Sequence, residues 1–80
     1  MKPFKEVMKI NDTNELITEI AERIDYTRMR FPQCDPSETK RQYFKEVAEI
    51  KVKCLGQCGM TEDEYSKEFC SRFEGNGKLK

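Results

Sequence analysis

The chain has 80 residues, with fifteen Lys and Arg balanced by fifteen Asp and Glu, and no histidine. Charged residues make up 38% and hydrophobic residues 36%, which suits one small domain with a thin core. A net charge of zero excludes the strong field of a general nucleic-acid or anionic-membrane binder, and no apolar run reaches the roughly 18 residues of a spanning helix.

Four helical segments are expected in chain order, and the fold class is all-α. The first is short, about residues 3–10, with Pro3 suited to an opening turn and Phe4, Val7 and Met8 on one side. The second runs from about 13 to 30. Asp12 or Thr13 caps it, Glu15 stands where a capping box places its acid, and Leu16, Ile17, Ile20 and Ile24 form a single apolar stripe that Phe31 extends. Phe31-Pro32 then breaks it, because proline disfavours helical geometry in the residue before it.

The third helix, about 36–55, has Asp35 as cap, Pro36 as first residue and Glu38 as reciprocal partner, and it stops at Gly56. At about 100° per residue, Tyr43, Val47, Ile50 and Cys54 form one seam, and Phe44, Ala48 and Leu55 a second beside it. Two seams predict two neighbours, so this helix is expected at the centre. The fourth, about 61–74, opens on a Thr61/Glu64 capping box and carries Tyr65, Phe69 and Phe73 on one face. The expected architecture is three antiparallel main helices with a short N-terminal one, a domain of residues 1–74 and a flexible tail at 75–80. Phe4-Lys5-Glu6-Val7-Met8-Lys9-Ile10 is echoed by Phe44-Lys45-Glu46-Val47-Ala48-Glu49-Ile50, a match confined to seven residues of amphipathic helix.

The cysteines are Cys34, Cys54, Cys58 and Cys70. A continuous third helix holds Cys34 and Cys54 roughly 30 Å apart, too far to share one zinc ion with its ligands about 2.3 Å away. Their expected role is that of small buried hydrophobes, and the alternative is a metal-binding or redox site of Cys54, Cys58 and Cys70. The run Cys54-x3-Cys58-x11-Cys70 resembles the paired Cys-x3-Cys motifs of helical-hairpin proteins of the mitochondrial intermembrane space over the last third of the chain. Glu74 stands where that pattern requires a fourth cysteine, and Cys34 has no place in it. No cofactor is expected.

Catalysis is not expected either. Without histidine there is no Ser-His or Cys-His pair, the glycines form no phosphate loop, and Glu62, Asp63 and Glu64 crowd Cys58 with negative charge. The same three carboxylates would repel DNA from a helix-turn-helix built on the third and fourth helices. The chain therefore reads as a non-enzymatic interaction module, a regulator, adaptor or inhibitor, whose partner is another protein or a second copy. The expected contact face is Arg23, Tyr26, Met29 and Arg30, residue types enriched at interfaces; the acidic start of the fourth helix is a second candidate. Charge in Met1-Lys2-Pro3-Phe4-Lys5-Glu6, where a signal peptide needs an apolar stretch, makes the cytoplasm the expected location.

Overall fold

The computed structural model describes residues 1–30 and 38–80, which fold into four helices: α1 (Phe4–Val7), α2 (Thr13–Arg30), α3 (Glu38–Gly56) and α4 (Glu62–Ser71). The all-α class and the three-plus-one arrangement match the expectation. The expected Asp35 cap, the Phe31-Pro32 break and Cys34 lie outside the described residues.

α1 is a single turn rather than the eight residues expected. Pro3 sits outside it as the N-cap, and beyond Met8 the chain tightens, with Lys9 N–H donating to Glu6 O and Ile10 N–H to Val7 O in i→i+3 fashion. Val7 is nevertheless fully buried. α2 is capped by Asp12, whose Oδ1 accepts from Asn14 N–H at 3.0 Å. Glu15 does not complete a box there; its carboxylate lies 3.8 Å from Lys2 Nζ. At α4 the box is complete, Thr61 Oγ1 accepting from Glu64 N–H and Glu64 Oε1 from Thr61 N–H, both at 3.1 Å.

The core comprises Val7, Leu16, Ile17, Ile20, Ile50, Cys54 and Tyr65, with Ile24, Val47, Leu55 and Phe69 packed against it. α2, not α3, is the central element: it packs against both α3 and α4, which touch each other only lightly. At about 100° per residue, its buried positions from Glu19 and Arg23 through Leu16, Ile20 and Ile17 to Ala21 cover more than half of its circumference. α3 buries its first seam, Ile50 and Cys54 completely and Tyr43 and Val47 in part, whereas of the second only Leu55 is half-buried and Phe44 and Ala48 are exposed.

One buried ionic cluster ties the elements together. Arg23, 1% exposed, donates through Nε to Glu46 of α3 at 3.1 Å and through Nη1 to the Glu19 carboxylate at 3.0 Å. Its Nη2 donates to Lys2 O at 2.8 Å, and Lys2 N–H in turn donates to Glu19 Oε1 at 3.0 Å. Lys53, also buried, donates to the Met8 carbonyl and so draws the end of α1 onto α3.

The C-terminal residues, where a flexible tail is expected, make defined contacts in the structure. Phe73 pairs with Leu79 in an antiparallel bridge, Lys80 N–H donates to Arg72 O at 2.9 Å, and Gly77 supplies the positive φ of +83° that this reversal needs. Arg28 of α2 donates to Gly77 O and lies 5.7 Å from the Phe73 ring centroid. Arg72, at the end of α4, reaches Asn14 O at 2.8 Å and Thr18 Oγ1 at 3.3 Å. Long-range hydrogen bonds hold both ends of this segment, a tether that periodicity does not encode.

Removing the guanidinium strands the buried Glu19 carboxylate and the half-buried Glu46 carboxylate, so Arg23→Met is expected to lower unfolding free energy by about 3–5 kcal/mol. Arg30→Met, on an exposed residue, is expected to change it by no more than about 0.5 kcal/mol. Urea titration followed by circular dichroism measures both.

Candidate functional site

The expected contact face is split by the fold. Arg23 and Arg30 lie seven residues apart on nearly the same row of α2, but at different heights. Arg23 falls beneath Glu46 and the N-terminal segment and is consumed by them, whereas Arg30 ends the helix and stays exposed. Tyr26 is half-buried, its ring 5.2 Å from that of Tyr43, and Met29 is 80% exposed. Tyr26, Met29 and Arg30 still share a shallow cleft with Met1, Glu22, Asp25 and Leu79. Arg23 is therefore a structural residue, and the remaining three form a small mixed patch.

The acidic start of α4 is largely spent within the molecule. Glu62 lies 3.4 Å from Lys51 Nζ, and that ammonium also sits 4.8 Å from the Tyr65 ring centroid. Glu64 is held by Thr61, whose backbone and side-chain hydrogen bonds keep its carboxyl below the usual range.

Two members of the second α3 seam, Phe44 and Ala48, lie outward, Leu55 stays half-buried against the core, and Val52, which belongs to neither seam, joins the outward pair. Phe44 is 48% and Val52 69% exposed, and Ala48 between them is exposed as well. Residues 44, 48 and 52 follow one another at single-turn intervals and form a stripe along α3. Beside it, Phe4 and Met8 of α1 face Ala48, Glu49 and Val52 across a groove of about 450 Å³. The two copies of the Phe-Lys-Glu-Val echo thus sit side by side, Phe4 and Met8 on one wall and Ala48 on the other. Phe44 and Ala48 of the second α3 seam are the available signal for part of this surface, whereas Val52 falls in neither seam.

The three described cysteines lie at different depths. Cys54 is buried, Cys58 half-buried and Cys70 exposed, and all three are free thiols. Among the described residues no group of three or more Cys, Asp or Glu is placed to hold a metal ion. Cys58 Sγ donates to Asn11 O at 3.5 Å. Burial, reinforced by the neighbouring Cys58, pushes the Cys54 thiol above its ordinary value of 9.0, the direction that suppresses nucleophilicity at neutral pH. Tyr65 is likewise raised from 10.0, first by burial.

Both groups are held in the neutral form by folding, so the stability this contributes is complete below their unfolded values and is lost as pH rises through the folded ones. Thermal melts are expected to fall progressively above about pH 9, and less steeply in Cys54→Ala. At neutral pH a thiol reagent is expected to modify Cys70 fast, Cys58 more slowly and Cys54 only on unfolding; equal rates would contradict this burial order. No family model matches the sequence, and no curated protein or solved structure is significantly similar to it.

Proposed function

We propose that this chain is a small non-enzymatic interaction module, a regulator, adaptor or inhibitor, that docks on a protein partner, a different chain or a second copy of itself, through the α1–α3 face. The observation that carries the reading is the outward stripe Phe44, Ala48 and Val52 with its adjoining groove. An 80-residue chain has little apolar surface to spare, and each square ångström left in water forgoes roughly 25 cal/mol. Apolar side chains aligned at helical spacing beside a groove are the arrangement by which one helix receives another. The Tyr26, Met29 and Arg30 patch is smaller and mixed in character, and supports a secondary contact. Three free thiols accord with a reducing compartment such as the cytoplasm, which forms part of the same proposal.

A photo-crosslinking residue placed at Arg41, on the rim of the stripe, is expected to trap a protein partner in the cell. Val52→Glu is expected to abolish the crosslink while changing stability by no more than about 0.5 kcal/mol, and Met29→Glu is expected to leave it intact. Crosslinks indifferent to Val52→Glu, or none at all, would refute the assignment of this face.

A further inference from the structure

We infer that the occupant of the α1–α3 face is a second copy of this chain, paired through an antiparallel α3–α3 contact with Ala48 on the twofold axis. The inference rests on the docking role proposed above and names its partner. The stripe is symmetric in size about its middle: large residues at 44 and 52 flank a small one at 48. A small central residue lets two helix axes approach closely, and a twofold operation places Phe44 of one copy level with Val52 of the other.

Charge favours the same arrangement. Lys45 and Glu49 are both exposed, lie one turn apart on the α1 side of the stripe, and form no ion pair with each other or with any described residue. About an axis through Ala48, Lys45 of each copy falls within about 3 Å, measured along the helix, of Glu49 in the other. Two reciprocal Lys45–Glu49 contacts result. A strongly acidic or basic partner would leave one of these charges opposed; a second copy satisfies both. The contact is carried by one short apolar stripe and two ion pairs exposed to solvent, so the dimer is expected to be reversible, with a dissociation constant on the order of micromolar.

The test is sedimentation velocity on the full chain from about 5 to 500 µM, with dithiothreitol present so that no disulfide through exposed Cys70 contributes. The wild type is expected to dimerise across this range. Lys45→Glu and Glu49→Lys each place like charges opposite one another and are expected to weaken self-association at least about tenfold. An equimolar mixture of the two variants, where every facing pair is opposite in sign, is expected to restore a dimer. Circular dichroism melts check that both variants remain folded. A wild type that stays monomeric, single variants that dimerise normally, or a mixture that stays monomeric would overturn the inference. A monomeric wild type that still gives a Val52-dependent crosslink to a different protein would overturn self-pairing alone; loss of both signals would overturn the docking face as well.

Discussion

A guanidinium sealed from water must be surrounded by acceptors, and Arg23 meets that demand by drawing in three parts of the chain. Glu19 lies one turn earlier on the same helix, Glu46 comes from α3, and the Lys2 carbonyl comes from the N-terminal segment. Buried ion pairs add little net stability over a well-packed apolar replacement, because desolvation offsets the Coulombic gain. Their geometry is nonetheless demanding. The cluster fixes the rotation of α2 about its axis and, through Glu46, that of α3. With Glu46, Ile50, Lys53 and Cys54 turned inward, residues 44, 48 and 52 on the opposite side of the helix have nowhere to go but outward. The exposed apolar stripe is thus the other face of an internal electrostatic constraint.

Much of the fold was legible in the sequence. Caps and periodicity located four helices: Thr61 and Glu64 form the box their spacing implies, and Leu16, Ile17 and Ile20 are buried as their stripe requires. Periodicity identifies a face without saying what covers it, which is why the second seam of α3 was counted as core and α3 was placed at the centre. Charge misled in the same way at Arg23. A residue-type rule sends arginine to the surface, and distant partners, Glu46 twenty-three positions later and the Lys2 carbonyl twenty-one earlier, together with Glu19 hold it inside. The hydrogen bonds of Arg28 and Arg72 that hold the C-terminal turn are longer-ranged still.

The candidate site follows the same pattern. Apolar spacing marks Phe44 and Ala48 but points them to the interior, and Val52, flanked by Lys51 and Lys53, falls outside both apolar seams of α3. Lys53 is in fact buried against the Met8 carbonyl while Lys45 is exposed beside the stripe, so a lysine does not by itself mark the solvent side of α3. The three described cysteines, Cys54, Cys58 and Cys70, differ in depth, and among the described residues no metal-holding group forms around them.

The central position of α2 shapes how this molecule comes apart. Because α3 and α4 each lean on α2 and scarcely on one another, the chain is two helical pairs that share one member. α4 with its terminal turn can detach as a sub-global opening that leaves the α2–α3 pair and its ionic cluster intact, the separable behaviour of cooperative units within one domain. Backbone amides of α2 next to Ile20 and Arg23 then exchange with solvent only when both pairs open, whereas those of α4 report the cheaper event.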